Sequence, residues 1–105
     1  MYNVHMNVSF TWDDSKGKEN IKKHGVSFEE AVTIFRNFPL EVYYDPDHSF
    51  LEDRYIAIGF SNKGRALLVV HCENKKGTIV RLISARKATH KEKWTVFGGK
   101  HEKRI

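Results

Sequence analysis

The sequence predicts an α+β fold: two N-terminal helices on one face of an antiparallel sheet of about four strands, with a short C-terminal helix after the sheet. Three observations predict it. The chain has 105 residues, 40% of them hydrophobic, which suits one domain with a single core. Helix signals come first, and apolar runs separated by tight glycine-containing turns follow them. No linker-like or repeated segment divides the chain, so we expect a single domain over residues 1–105.

The N-terminal part predicts a strand followed by a polar helix. Residues 4–12 alternate loosely between apolar and polar side chains and are predicted to form the first strand. An aspartate at position 13 or 14 can cap a helix that runs to about His24, where Gly25 can end it in a left-handed conformation. Ile21 is the one clear apolar residue of this helix, so core packing alone explains the helix poorly.

One face of this first helix is polar. Lys16, Asn20 and Lys23 have the spacing i, i+4 and i+7, and His24 lies at the edge of the same face. A solvated surface is the ordinary explanation of such a stripe, and a surface that binds an anionic polymer is the alternative.

A second helix is predicted immediately afterwards. Ser27 and Glu30 have the spacing of a capping box, in which the glutamate side chain reaches back to the N-cap backbone. The helix should end before Pro39. An apolar stripe with helical spacing should face the core, and its members are Phe28, Ala31, Val32 and Phe35.

The rest of the chain predicts a meander and a last helix. The strand candidates are residues 40–44, 52–60, 66–72 and 78–86. Tight turns ending in Gly64 and Gly77 join the last three, which implies antiparallel pairing with the helices on one face of the sheet. Residues 88–97 predict a third helix, and residues 98–105 a flexible basic tail.

The last strand candidate sets charged residues into an apolar run. Simple alternation puts Arg81 on one side with Ile79, Ile83 and Ala85, and puts Arg86 on the other side. Both sides are mostly apolar, as in a central strand that is covered on both faces. An unpaired arginine buried there would cost several kcal/mol, on the order of the penalty for any desolvated ion. Arg81 therefore needs a carboxylate partner or an opening to an anion.

The charge of the chain is uneven along its length. Residues 1–49 hold 5 basic and 8 acidic side chains, a balance of −3, whereas residues 50–105 hold 13 and 5, a balance of +8. Nucleic acid is the commonest partner of a small basic domain, followed by an acidic protein and then a membrane surface. Solubility alone is the plain alternative.

Cysteine use and hydropathy predict the compartment. Cys72 is the only cysteine, so neither an internal disulfide nor a cysteine-based zinc site is expected. No apolar run approaches the length of a membrane span, and the first residues lack a basic-then-apolar signal pattern. The expected compartment is the reducing cytoplasm, with no membrane partner.

The residues favour metal-free phosphate chemistry over other catalytic classes. No two histidines have the spacing that preforms a pair of metal ligands, so we expect no metal and no cofactor. Cys72 and Ser84 lie in strand candidates without the elbow of a nucleophile. RNA can be cut by its own 2′-hydroxyl if a protein positions the backbone, moves two protons and neutralises the pentavalent phosphate. Arginines and lysines supply most of that.

Five segments in order resemble the BrnT family, from about residue 8 to residue 94. They are Phe10-x-Trp-Asp-x-x-Lys16, Asn20-x-x-Lys-His-Gly-Val-Ser-Phe28 with Ala31, Glu52-x-Arg54, Gly59-x-Ser61, and Arg81-x-Ile-Ser-Ala-Arg86-x-Ala88. This family comprises toxins of type II toxin–antitoxin systems that are similar in fold to RelE-like ribonucleases. The resemblance implies an endoribonuclease that inhibits translation and is neutralised by a BrnA-type ribbon-helix-helix antitoxin. It further implies two toxin chains per antitoxin dimer, and operator DNA bound only through the antitoxin.

The resemblance also suggests roles for individual residues. Arg81 and Arg86 would bind and stabilise the scissile phosphate and Arg54 would assist, with Arg86, at the strand end, as the purer catalytic candidate. His24 or Glu52 would move a proton, and a helix-end cap is the alternative role for His24. The residues expected to bind the RNA are Lys16, Asn20, Lys23 and Ser84.

Three points stay open at this stage. Family members often end the last helix with a Glu-Arg-x-x-Tyr-like sequence, whereas Glu92-Lys-Trp94 and a basic tail stand here. Glu52 and Arg81 could form a buried ion pair that serves only the strand register. The chain could also be a non-catalytic basic module that binds nucleic acid or an acidic antitoxin segment.

Overall fold

The computed structural model describes residues 8–98, and these form an α+β domain. The strands are β1 (Ser9–Thr11), β2 (Leu40–Tyr44), β3 (Asp53–Phe60), β4 (Ala66–Glu73) and β5 (Ile79–Lys87). The helices are α1 (Asp14–His24), α2 (Phe28–Val32) and α3 (His90–Lys93), with 3-10 turns at Thr33–Arg36 and Pro46–His48 and a π-helical turn at Trp94–Gly98. The start of the predicted first strand and nearly all of the predicted tail, residues 99–105, lie outside the described residues.

The sheet is mixed and has five strands in the order β1-β5-β4-β3-β2. The meander β2 to β5 is antiparallel, as predicted, but β1 pairs in parallel with β5, with Phe10 opposite Val80. The prediction of about four antiparallel strands is therefore wrong in number and in the direction of the first strand. The pairing of β1 joins segments about 70 residues apart in the chain, and local turn and alternation signals carry no information about it.

Helix α1 begins and ends as its caps predict, but it buries an unexpected face. The Asp13 carboxylate accepts hydrogen bonds from the backbone N–H groups of Ser15 and Lys16, at 2.9 and 3.1 Å. Gly25 ends the helix at φ 68°. The buried residues are Gly17 and Asn20, whereas Ile21 is 50% exposed. A Cβ at Gly17 would stand 3.3 Å from the Trp12 indole, so close packing rather than apolar bulk attaches this helix.

Glu30 does not complete the predicted capping box. Ser27 accepts from the Glu30 backbone N–H at 3.0 Å, but the Glu30 side chain turns to the β3–β4 hairpin instead. There it receives a hydrogen bond from the Ser61 hydroxyl at 2.7 Å and forms an ion pair with Arg65. The Arg65 guanidinium and the Ser61 hydroxyl lower the pKa of the buried Glu30 carboxyl. This network fastens α2 to the sheet.

Two hydrophobic clusters cover opposite faces of the sheet. The first lies under α1 and α2 and takes Ala57 from β3, Leu67 and Val69 from β4, and Leu82 and Ala85 from β5. The second packs the alternate strand residues against the C-terminal segment, and its buried members are Ile58, Leu68, Val96 and Phe97. The expectation of all helices on one face is therefore wrong, because the C-terminal helix lies on the other. No helix of residues 8–98 has the length and apolar content needed to cross a membrane.

A bulge in β5 changes which residues share a face. Val70 pairs with Ser84 and the next residue, His71, pairs with Leu82, so Ile83 is left without a partner. One extra residue in a strand reverses the alternation beyond it. Arg81 consequently leaves the face of Ala85, where simple alternation puts it, and joins the face of Ser84 and Arg86. The predicted division of β5 into two sides is wrong from residue 82 towards the N-terminal end of the strand.

Candidate phosphate-binding site

Three residues form a row across the three central strands of the sheet, on the face opposite to α1. Arg54 of β3 pairs with Cys72 of β4, which pairs with Arg81 of β5. Directly opposed residues of neighbouring strands point to the same face. The C-terminal helix covers only the other end of this face, where its Val96 and Phe97 pack. The two arginines flank Cys72 at the end of this face that no element of residues 8–98 covers.

Arg81 has the carboxylate partner that its position demands. Its guanidinium donates to the carboxylate of Glu52, in the loop before β3. The predicted pairing is confirmed, but the side chains are 43% and 49% exposed, so the pair is not buried. Screening by solvent makes such a pair worth about 0–1 kcal/mol. An anion can therefore compete for Arg81 at little energetic cost.

Arg54 and Cys72 complete this part of the site. Arg54 is half-buried, and within residues 8–98 its buried Nε finds no hydrogen-bond partner. A buried guanidinium N–H without an acceptor is costly, so the position of this side chain is not explained by hydrogen bonds at Nε. Burial, assisted by the Glu52 carboxylate, raises the pKa of the Cys72 thiol. The thiol therefore stays neutral between the two arginines. Sequence patterns do not point to Cys72, because only the strand register shows that it lies between the two arginines.

Arg86 lies on the same face but is engaged in a different way. Its two terminal nitrogens donate to the two carboxylate oxygens of Glu92, each at 2.9 Å. Glu92 also accepts from the Thr89 backbone N–H, which completes a capping box at the start of α3. These contacts lower the pKa of the Glu92 carboxyl to about 2, chiefly through Arg86. Arg86 therefore fastens the C-terminal helix to the sheet.

Ser84 lies between the two arginines on this face. It pairs with Val70 and is half-buried. The face thus presents the order Arg86, Ser84, Arg81 along β5, with Arg54 across from Arg81.

Asn20 is a structural residue of the fold. It is 5% exposed, and its side-chain amide donates to the Val26 and Ala85 carbonyl oxygens at 2.9 and 2.8 Å. Its Oδ1 accepts from the Ala85 backbone N–H at 3.1 Å. The amide thus ties α1 to the bulged strand, and no donor or acceptor remains exposed for RNA. The expectation of RNA binding by Asn20 is corrected accordingly.

The other predicted residues of α1 are exposed and lie away from the arginine row. Lys16, Lys23 and His24 are all exposed, and Lys23 stands 4.0 Å from Glu19. Helix α1 packs on the face of the sheet opposite to the arginine row, so the structure does not bring His24 close to Arg54 or Arg81.

A histidine is fully buried on the face of the sheet that α1 and α2 cover. The sequence does not predict this burial. His71 is fully buried between the rings of Phe35 and Tyr55, and its Nε2 stands 3.0 Å from a Glu73 carboxylate oxygen. Burial and the negative charge of Glu73 raise the pKa of the Tyr55 hydroxyl. These groups lie on the face opposite to the arginine row and take no part in it.

The arrangement of the row suits an anion. Two guanidinium groups offer forked N–H donors, the geometry that matches phosphate oxygens, and a carboxylate stands beside them. Among residues 8–98, no three His, Cys, Asp or Glu side chains cluster as metal ligands.

Comparisons with known proteins bear on this site. A family model described as the ribonuclease toxin BrnT of type II toxin–antitoxin systems matches residues 12–92. Among solved structures, the crystal structure of the Brucella abortus ribonuclease toxin BrnT matches with a TM-score of 0.60 and 24% sequence identity. That match covers 79% of this chain and 99% of the Brucella chain, and at this identity it shows a shared fold. A search of curated proteins finds no match.

Proposed function

The chain belongs to the BrnT family of ribonuclease toxins of type II toxin–antitoxin systems, and from this premise we propose that it is a metal-independent, RelE-like endoribonuclease that inhibits translation. The observation that carries the proposal is the row of Arg54, Cys72 and Arg81, with Glu52 beside it, at the end of a sheet face that no element of residues 8–98 covers. The row offers cationic donors for a phosphate and a carboxylate that can accept a proton.

The proposed reaction is attack by a ribose 2′-hydroxyl on the adjacent phosphate. Glu52 takes the proton of the 2′-hydroxyl, and the 2′-oxygen forms a bond to phosphorus. Arg54 and Arg81 neutralise the pentavalent phosphate, whose extra negative charge they bind more strongly than the ground state. The bond to the 5′-oxygen breaks, and that oxygen leaves with a proton from solvent. The products are a 2′,3′-cyclic phosphate and a 5′-hydroxyl.

Glu52 is the better candidate than His24 for the proton acceptor. A general base must stand within hydrogen-bond reach of the proton, and Glu52 already contacts Arg81. His24 lies at the end of α1, over the opposite face of the sheet. We therefore assign His24 to capping the helix, where a cation at the C-terminal end is favourable.

The remaining predicted residues take secondary roles. Arg86 lies four paired positions from Arg81 in the register with β4, about 13 Å at roughly 3.3 Å per residue, and is held by Glu92. We assign Arg86 to positioning the C-terminal helix, and Ser84 to contacting the RNA backbone between the arginines. Lys16 and Lys23 would attract RNA through long-range electrostatics.

An antitoxin is the partner that a type II toxin family implies. We propose a BrnA-type ribbon-helix-helix antitoxin that brings two toxin chains into one complex and carries the complex to operator DNA. The net charge of +8 on residues 50–105 supports an acidic antitoxin segment as the contact. Association should then slow as salt is raised, and an on-rate independent of salt would contradict this contact.

The nuclease is tested with purified protein and RNA in EDTA. Fragments ending in 2′,3′-cyclic phosphate are expected from the wild type and from Arg36→Ala, whose exposed arginine lies outside the site. Glu52→Gln should bind RNA and cut at least about 100-fold more slowly, the usual range for a positioned proton-transfer group. Binding without any cutting by the wild type would instead identify a non-catalytic module.

Growth of cells that express the chain alone gives an independent test. The wild type should arrest growth, and co-expression of the antitoxin should restore it. Harmless expression of folded wild-type protein would count against a toxin.

A further inference from the structure

The loop before β3 places two large apolar side chains in solvent next to the proposed catalytic carboxylate. Phe50 is 83% exposed and Leu51 is 99% exposed, and Glu52, the partner of Arg81, follows them directly. An aromatic ring and a leucine that stay in solvent contribute none of the free energy that burial of their apolar area would give. A role in binding explains their position.

These side chains line a cleft at the end of the sheet. The cleft has a volume of about 270 Å³ and lies between this loop and the β4–β5 turn. Its lining combines Phe50 and Leu51 with three acidic residues, Glu52, Asp53 and Glu73, and with Ser49, Asn74 and Lys75. An aromatic face beside polar groups is how proteins hold single bases of RNA, by stacking and by hydrogen bonds to the base edge.

We propose that this cleft holds an unpaired nucleobase of the RNA, stacked on Phe50, beside the phosphate bound by Arg54 and Arg81. The inference rests on the proposed ribonuclease function and adds the substrate class, single-stranded RNA. Glu52 both lines the cleft and contacts Arg81, so the proposed base site and the proposed phosphate site are adjacent. A protein partner fits less well, since a stable interface buries about 800 Å² on each side, far more than one small cleft.

Asp53 gives the cleft a preference among bases. Its carboxylate is exposed, and within residues 8–98 its one side-chain hydrogen bond is a long one, 3.4 Å, from the Tyr44 hydroxyl. A carboxylate accepts hydrogen bonds and is repelled by the carbonyl oxygens of a base. Guanine offers two neighbouring donors, N1–H and N2–H, that match the two carboxylate oxygens, whereas uracil offers a single N3–H donor between two carbonyl oxygens. The cleft should therefore favour guanine over uracil.

Binding is measured with fluorescent 2′-O-methyl decamers, which lack the attacking hydroxyl and so separate binding from cutting. Phe50→Ala should weaken binding about tenfold, as expected for one lost base stack. Phe38→Ala is the matched control, because Phe38 is 92% exposed but lies before β2, outside the cleft. Phe50→Trp should restore binding. A backbone of abasic units should bind Phe50→Ala and wild type equally.

The base preference is measured with guanine-rich and uracil-rich decamers. The wild type should bind the guanine decamer more tightly, and Asp53→Asn should reduce the difference. Equal binding of both decamers by the wild type would overturn the preference.

Several outcomes would overturn the base-binding site. One is equal decamer binding by Phe50→Ala and Phe38→Ala, and another is no binding of decamers by the wild type. A third is normal RNA binding by Phe50→Ala with lost neutralisation by the antitoxin, which would make the patch a protein contact. Cutting of ordinary RNA is scored separately, so a wild type that cuts while Phe50 is dispensable removes only this inference. A wild type that binds through Phe50 and never cuts removes only the nuclease.

Discussion

Two arginine–glutamate pairs stand on the same face of β5 and differ in what they hold. Arg86 and Glu92 form two hydrogen bonds of 2.9 Å, and Glu92 is also fixed by the cap of α3. Arg81 meets Glu52 through one terminal nitrogen, and both side chains are nearly half exposed. The two pairs have the same chemistry but different surroundings. One attaches the C-terminal helix to the sheet, and the other is accessible to solvent.

The surroundings of each pair produce this difference. Val96 and Phe97 pack on the same end of the face as Arg86, and the side chains of the pair are 39% and 26% exposed, so Glu92 more than Arg86 is withdrawn from solvent. Two hydrogen bonds and the cap of α3 fix the geometry of this pair. Glu52 belongs to a loop with exposed neighbours, so its contact with Arg81 is solvated and exchangeable. Four experiments test whether the two pairs differ in this way.

The largest effect is expected from Arg81→Ala. Removing one donor to a transition-state oxyanion costs about 100- to 1,000-fold in rate. Because the Arg81–Glu52 pair is solvated, the thermal midpoint of unfolding should change little. RNA cleavage assays and calorimetry measure the two quantities. Loss of the folded state would instead make Arg81 a structural residue and remove the distinction between the pairs.

Arg86→Ala should show the opposite pattern. It leaves Glu92 without its partner, and we expect a loss of about 1–2 kcal/mol in the free energy of unfolding. For a domain of this size the midpoint falls by roughly 5–10 °C. Cleavage below the new midpoint should fall less than in Arg81→Ala. A fully folded, inactive Arg86→Ala protein would return Arg86 to the phosphate site.

Acid should weaken the Arg86–Glu92 pair selectively. The pKa of Glu92 is about 2 in the folded chain and 4.5 ordinarily, so its stabilisation is complete above pH 4.5 and is lost as pH falls towards 2. Urea unfolding of the wild type and Glu92→Gln should therefore differ most near neutral pH, and the difference should shrink below pH 4.5 and vanish as pH falls to about 2. Glu30 also has a lowered pKa, but it is common to both proteins and cancels. A difference that is constant with pH would contradict the assignment to Glu92.

The smallest effect is expected far from either pair, on α1. Lys16→Ala with Lys23→Ala removes two exposed charges from the opposite side of the sheet. RNA association should slow a few-fold at low salt and not at all at high salt, because distant exposed charges are screened. A loss that persists at high salt would show direct contact with the RNA.

Local signals in the sequence predicted much of the fold. The caps at Asp13 and Gly25 and the turns ending in Gly64 and Gly77 lie where short-range chemistry puts them. The partner of Arg81 could also be predicted, because a buried-strand arginine requires a carboxylate and Glu52 precedes β3, which is separated from β5 by one strand. The exposure of the Arg81–Glu52 pair could not be predicted, because it depends on which other segments cover that face of the sheet.

The errors share a physical cause, which is dependence on distant parts of the chain. The parallel pairing of β1, the partner of Glu30 and the face chosen by the C-terminal helix all depend on contacts made after collapse. Asn20 resembled a surface residue because polar helix positions usually are exposed, yet its amide bonds to the strand that carries the arginines. Polar residues that satisfy backbone groups cannot be separated by composition from those that bind a ligand.

The unpaired Ile83 is what puts Arg81 on the open face of the sheet. If Ile83 were drawn into regular pairing, the residues on its N-terminal side would exchange faces, which would turn Arg81 towards the helices and Leu82 away from them. Deleting Ile83 would instead join Leu82 directly to Ser84, and simple alternation would then keep Leu82 and Arg81 on the faces that the bulge gives them now. Alignments and redesigns of this strand should therefore skip one position between Leu82 and Ser84 when they assign side chains to faces.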